Sequence, residues 1–129
     1  MRALADKDWQ VQIAAVRGLG LRRDNRALEP LKVLLEKEQA ADIYASGEVK
    51  QWRLKMWIAI ALGQIGDPCA LSVLGDLLAG KDFYAVRARA AKALGELGDA
   101  RAESFLRIAA NDTEANTRFW ALEALARIR

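Results

Sequence analysis

Three aspartates at matching positions are the side chains of this chain that could most readily do chemistry together. Asp24, Asp67 and Asp99 each stand four residues after a glycine that closes an alanine-rich apolar stretch. Carboxylates repeated in this way could form a ladder of metal ligands. If the segments stack, however, equivalent positions lie roughly 8–10 Å apart, too far for two carboxylates to bind one metal ion directly. We therefore predict that each aspartate caps the helix that follows it by accepting hydrogen bonds from free amides.

Other catalytic or metal-binding groups are scarce. The chain has no histidine, which removes the usual general base and the usual metal-ligating side chain. Its one cysteine, Cys69, allows neither an internal disulfide nor a cysteine cluster for a structural metal. The sequence contains no evident pairing of a nucleophile with a base and no glycine-rich phosphate loop. It thus predicts no catalytic residue, no cofactor and no metal site, and we interpret the chain as not being an enzyme.

A repeat must position these aspartates. The phrase Leu-Gly recurs at Gly20, Gly63 and Gly95, and Leu125-Ala126 repeats it once more with alanine in place of glycine. The repeated unit has about 31 to 32 residues, with about 11 further residues inserted after the first. A period of this length is typical of a solenoid array, in which each unit contacts only its neighbours.

The pattern inside each unit predicts an antiparallel pair of helices, which we name helix A and helix B. In the third unit Val86, Ala90 and Ala93 place an apolar stripe on one face of helix A, and Val11 begins the equivalent stripe in the first unit. The repeat glycine follows, and we expect it to end helix A with a positive φ. Helix B comes after the capping aspartate. Since neither helix is apolar all round, neighbouring units must complete the core.

The sequence therefore predicts an all-α fold, an α-α superhelix of about seven helices arranged as three helix pairs and one terminal helix. The predicted helices are 7–19, 26–40, 48–62, 68–79, 83–94, 100–110 and 113–127. They form one domain, 1–129, with units at about 6–40, 48–79, 82–110 and 113–129. The insertion at about 38–47 is a candidate binding loop or a plain connector. Pro30 removes an amide donor, so the second helix should begin late or bend.

The run from Val86 to Asp99 resembles a HEAT repeat of the short type named after the phycobilisome lyases. Its closing phrase, Leu-Gly-Glu-Leu-Gly-Asp, recurs as Leu-Gly-Gln-Ile-Gly-Asp at 62–67. The resemblance covers 6–129 and implies the superhelical fold. For function it implies a scaffold or interaction module, with an accessory subunit of a bilin (phycobilin) lyase-type complex as the alternative. HEAT-like hydroxylases that hold two irons with histidine–glutamate pairs are excluded, because the chain has no histidine.

The surface pattern favours a protein partner. Helix B commonly lines the concave face of such a solenoid, and its solvent positions here carry mixed charges, which suits a protein or peptide. These candidates are Glu29, Lys32, Glu36, Ser72, Asp76, Arg101, Ser104 and Arg107. Trp9, Trp52 and Tyr84 all stand eleven residues before the repeat glycine, and stacking would align them into an aromatic row. Rings that merely fill gaps between units are the alternative.

Charge and hydropathy bound the remaining partners. The net charge is +3, and the densest basic group, Arg17, Arg22, Arg23 and Arg26, leaves nucleic-acid contact as a further alternative, although duplex binders usually show a stronger basic bias. No apolar run could span a membrane and no secretory signal is evident, so we expect no membrane partner and a cytoplasmic location. The last helix, 113–127, has no helix B behind it. This predicts a longer parent array, a partner on that helix, or self-association through it.

Overall fold

The structure is a computed structural model that describes residues 4, 8–40, 50–80 and 83–128, with side chains at all of these except 9, 38–40, 50 and 51. Within this part of the chain there are seven α-helices and no strand. They are α1 Trp9–Arg22, α2 Leu28–Ala40, α3 Lys50–Ile65, α4 Leu71–Ala79, α5 Tyr84–Leu97, α6 Glu103–Ala109 and α7 Ala115–Arg127. The all-α prediction is confirmed, and every predicted helix is found with its ends shifted by about three residues at most.

The helices form two layers. The A helices, α1, α3, α5 and α7, stack side by side in chain order, and each B helix, α2, α4 or α6, packs on the A helix that follows it. The core lies between the layers and consists mainly of leucines from both. Its largest fully buried members are Leu31, Leu35, Leu54, Ile58, Leu62, Leu74, Leu77, Leu94 and Leu106. Each buried leucine contributes about 1.5–3 kcal/mol relative to an exposed one, so the inter-layer contact carries the fold.

The repeat glycines lie inside the A helices. The prediction that Gly20, Gly63 and Gly95 end these helices is wrong, because α1, α3 and α5 each continue for two more residues. A Cβ on Gly63 would lie 2.8 Å from the Cβ of Ala93, and one on Gly95 would lie 2.8 Å from the Cβ of Ala124. The missing side chain is what lets neighbouring A helices approach so closely.

The positive φ occurs three residues after each repeat glycine. It belongs to Gly66 (φ 71°) and Gly98 (φ 65°), and in the first unit to a residue with a side chain, Arg23 (φ 53°). At Arg23 and Gly98 the backbone amide also donates to the carbonyl three residues back, which closes the helix end. The second glycine of the repeated phrase, rather than the first, therefore ends helix A.

The three aspartates cap the chain where helix B begins. Oδ1 of Asp24, Asp67 and Asp99 accepts a hydrogen bond from the amide two residues later, at 2.9 Å in each case. The predicted capping role is thereby confirmed. Each cap opens a short 3₁₀ turn that leads into the α-helix: Asn25–Ala27 before α2, Pro68–Ala70 before α4 and Ala100–Ala102 before α6.

Two local expectations have mixed outcomes. Helix α2 begins at Leu28, so Pro30 falls in its first turn, where a missing amide breaks no interior hydrogen bond. Val11 was expected in a buried stripe but is 39% exposed, because no described helix packs on that side of α1. The predicted insertion lies largely at 41–49, outside the described residues. None of the described helices is long and apolar enough to cross a membrane.

Candidate functional site

The solvent side of the B helices carries two rows of exposed side chains. Residues five positions after each capping aspartate form the first row, and residues nine positions after it form the second. The first row is Glu29, Ser72 and Ser104, and the second is Val33, Asp76 and Ile108. All six are exposed, with Val33 at 60% and Ile108 at 71%. This face is therefore a polar surface with an apolar residue at each end of its second row.

The other predicted binding residues of the B helices are placed as follows. Glu36, Arg101 and Arg107 are exposed, whereas Lys32 is half-buried, with its Nζ 3.5 Å from Oε1 of Glu29. Arg107 donates to Oε1 of Glu103 on its own helix, at 2.7 Å. The cations of this surface are thus paired with neighbouring carboxylates along the same segment, which lowers the net field that a partner would meet.

Two of the capping aspartates also hold an arginine. Arg26 donates to both carboxylate oxygens of Asp24, and Arg101 does the same to Asp99. The side-chain hydrogen bond from Arg26 lowers the pKa of Asp24 to about 2, and that from Arg101 lowers the pKa of Asp99 to about 2. At the equivalent position after Asp67 stands Cys69, whose thiol pKa is raised by the hydrogen bond to that carboxylate.

A cleft of about 430 Å³ opens between α4 and α6 at their C-terminal ends. Its apolar lining includes Leu78, Phe105 and Ala109, and the exposed Ile108 also lines it. The ring of Phe105 lies directly over Gly75, where a Cβ would be 2.6 Å from it. Because Gly75 has no side chain, Phe105 can lie flat against α4 and form part of the cleft.

The wall of the cleft is an ion pair that ties α5 to the loop between α6 and α7. Arg87 Nε lies 3.0 Å from Asp112 Oδ2 and Arg87 Nη2 lies 3.1 Å from Oδ1, and each side chain is only 16% exposed. Burial raises the pKa of Asp112, but the hydrogen bonds from Arg87 and the amide of Glu114 outweigh it, so the pKa is lowered overall. The carboxylate therefore stays ionised and fixes the loop.

Sequence reasoning missed this wall, although a periodic signal was present. Arg87 stands eight residues before its repeat glycine, and the equivalent positions hold Gln12, Lys55 and Arg118, all of them donors. Gln12 donates to the carbonyl of Leu4 at 2.9 Å. Arg118 donates to the carbonyls of residues 112 and 113 at 2.8 and 3.0 Å. In the first, third and fourth units this donor binds a loop residue.

Aromatic side chains gather at the N-terminal ends of α3 and α5. The rings of Trp52 and Phe83 are 4.8 Å apart, and those of Phe83 and Tyr84 are 4.5 Å apart. Phe83 is 44% exposed and Tyr84 is 39% exposed, while Trp52 is half-buried. The predicted row thus brings Trp52 and Tyr84 to either side of Phe83, a residue that the sequence analysis did not select. The side chain of Trp9, its third predicted member, lies outside the described residues.

The basic cluster of the first unit is dispersed over different contacts. The guanidinium of Arg17 lies 4.5 Å from the ring centre of Trp57, and Arg26 is paired with Asp24. The stacking recurs further along, where Nζ of Lys92 lies 5.0 Å from the ring centre of Trp120. No group of three or more acidic, cysteine or histidine side chains that could hold a metal ion is found among the described residues.

Comparison with known proteins gives one family. The family model described as HEAT repeats matches residues 1–83 and, in a second match, residues 72–129. A search of curated proteins gave no significant match. The two matches together span the whole chain, and their helical-repeat pattern agrees with the stacked A and B helices described above.

Proposed function

Because this chain belongs to the HEAT-repeat family, whose repeats generally form protein-interaction scaffolds, we propose that it is a non-enzymatic module that binds a protein partner. The observation that carries the proposal is the cleft between α4 and α6, where the exposed Ile108 stands beside an apolar lining. Apolar pockets flanked by a few fixed polar groups are typical binding sites for a partner's anchor side chain.

The contacts around the cleft suggest how a peptide segment would lie. An aliphatic or aromatic side chain of the partner enters the cleft against Phe105 and Ile108. The first-row hydroxyls of Ser72 and Ser104 are exposed on the same B helices and can hydrogen-bond to the partner's backbone. The ion pair of Arg87 and Asp112 is already satisfied, so it shapes the wall without demanding a charged ligand.

A site-specific crosslinking experiment tests this proposal. A photoreactive phenylalanine analogue replaces Ser104 in one variant and Glu123, an exposed residue of α7, in a control. We expect crosslinks to one recurrent protein from position 104 and not from position 123. That protein, once purified, should bind the wild-type chain, and Ile108→Asp should weaken its binding by about tenfold or more.

Two results would reject the groove. One is a recurrent crosslink from position 123 alone, and the other is a purified partner whose affinity is unchanged by Ile108→Asp. Val33→Asp serves as the matched variant, because Val33 occupies the same row position on α2, away from the cleft, and is similarly exposed. A loss of affinity confined to Ile108→Asp would assign the anchor to the cleft.

The finer predictions remain proposals with less support. The short phycobilisome-lyase type of repeat and a bilin-lyase role rest on the sequence phrase alone. Nucleic-acid contact has no comparable observation, because Arg17 and Arg26 are already engaged by Trp57 and Asp24. The cytoplasm stays the proposed location, and the exposed free thiol of Cys69 suits a reducing compartment.

A further inference from the structure

The last helix exposes the face that other A helices bury. In α5, Ala88, Ala91 and Gly95 lie on one stripe, all three are buried, and Gly95 faces α7. The equivalent residues of α7 are Phe119, Leu122 and Ala126, and all are exposed, Phe119 at 53% and Leu122 at 58%. Two large apolar side chains in water at the end of a stack form a surface suited to packing.

The first helix exposes the opposite face. In α7, Thr117, Ala121 and Ala124 form the buried stripe that receives α5. The equivalent residues of α1 are Val11, Ala15 and Gly18, of which Val11 is 39% exposed and Gly18 has open space around it, with no atom within 4 Å of a Cβ placed there. Leu21, one position after the repeat glycine, is 70% exposed, whereas Gln64, Glu96 and Arg127 hold that place in the other units.

The two end faces match each other by the rule of the internal joints. At each internal joint a glycine of one A helix meets an alanine of the next: Gly20 with Ala61, Gly63 with Ala93, and Gly95 with Ala124. At the ends these types are exchanged, because α7 offers Ala126 where the joint has glycine and α1 offers Gly18 where it has alanine. A contact between the ends would therefore again bring one glycine against one alanine.

The neighbouring positions match in size as well. The bulky Phe119 and Leu122 of α7 would face Val11, Ala15 and Gly18 of α1, a stripe with small residues and unoccupied space at the glycine. In the internal joint from α5 to α7 both sides carry small residues. The large face thus meets a small one, as close packing between helices requires.

We infer that copies of this chain associate head to tail, with α7 of one copy stacked on α1 of the next. This contact continues the established joint between A helices and leaves one free face at each end, so it is heterologous and builds open chains rather than closed dimers. A single helix-to-helix contact is smaller than a standard interface of about 1,600 Å², so the association should be weak, at about 10–500 µM. It is independent of the proposed groove on the B helices.

Light scattering with complementary variants tests the inference on the full chain. Phe119→Lys blocks the α7 face, and Gly18→Lys blocks the α1 face; both sites are open to solvent, so each variant should fold, which circular dichroism verifies. Wild-type mass should rise steadily with concentration beyond that of a dimer, and each variant alone should remain monomeric. An equimolar mixture should form a one-to-one heterodimer and nothing larger, because each variant keeps one working face.

Three results would overturn the inference. The first is a wild-type chain that is monomeric across the range. The second is a Gly18→Lys variant that still associates while Phe119→Lys does not, which would mean that α7 packs on another α7. The third is a mixture of the two variants that stays monomeric. Val33→Lys is the control: it makes the same kind of change at an exposed site on α2 and should associate like the wild type.

Discussion

The repeat glycines set the distance between adjacent A helices. At Gly20 a Cβ would come within 2.8 Å of the Cα of Ala61 on α3, and backbone atoms cannot move aside cheaply. At Gly18, two residues earlier in the same helix, a Cβ would meet no atom within 4 Å. The two glycines therefore serve different ends, and one pair of substitutions separates the effect of the joint from that of helix propensity.

We expect Gly20→Ala to lower the free energy of unfolding by about 1–3 kcal/mol, because the methyl group forces α1 and α3 apart. Gly18→Ala should raise it by about 0.5–1 kcal/mol, because alanine favours the helix and the space is empty. Urea unfolding at dilute protein concentration measures both. If the two variants shifted stability in the same direction, the close joint between α1 and α3 would be refuted.

The caps make part of the stability depend on pH. The pKa of Asp99 is lowered to about 2 by Arg101, so this carboxylate stabilises the fold fully above its unfolded pKa near 4. That contribution is lost as the pH falls through about 2. We expect Asp99→Asn to melt below the wild type at pH 7 and to melt with it near pH 2. Asp76→Asn, an exposed carboxylate that caps no helix, is the control, and a pH-independent deficit for Asp99→Asn would contradict the prediction.

At the scale of the helices, the sequence predicted the elements better than their ends. Periodic apolar residues and capping aspartates gave seven helices and the starts of the B segments. The phrase Leu-Gly-x-Leu-Gly-Asp contains two glycines, and either could in principle end a helix. Which one does so depends on how closely the next A helix lies, a distance that no local pattern encodes.

We expect Gly98→Ala to cost about 1–2 kcal/mol through backbone conformation alone. Gly98 has a φ of 65° and no atom within 4 Å of a Cβ placed on it, so no clash contributes. Arg23, which already holds a side chain at φ 53°, provides the reverse test: Arg23→Gly should be close to neutral, since relief of strain is offset by greater freedom of the unfolded chain. Thermal unfolding measures both, and an unaffected Gly98→Ala would show that the helix does not end there.

The candidate site divides in the same way. The exposed rows of the B helices follow from the period, so residues such as Ser72 and Ser104 could be selected from the sequence. The cleft could not, because it arises from packing between different helices: Phe105 over Gly75, and Arg87 on Asp112, 25 residues away. Phe83 was missed for a related reason, since it lies one residue outside the repeated position held by Tyr84.

Across the whole molecule, stability should vary along the stack. Helices α3 and α5 have an A helix on both sides, whereas α1 and α7 have one on a single side among the described helices. In a linear array each unit depends on its nearest neighbours, so the ends open first. We expect amide hydrogens of α3 and α5 to exchange about tenfold or more slowly than those of α1 and α7 in dilute solution. Equal protection along the chain would mean that it unfolds as one unit.

The identical construction of the joints also bears on how such a chain can change in evolution. Each internal boundary between A helices is a glycine set against an alanine, so a unit of about 32 residues carries half of one joint at its front and half of the next at its back. A duplicated unit would arrive with both halves already compatible with its new neighbours. The gene can therefore lengthen or shorten in whole repeats while every contact across a boundary remains one that the protein already uses.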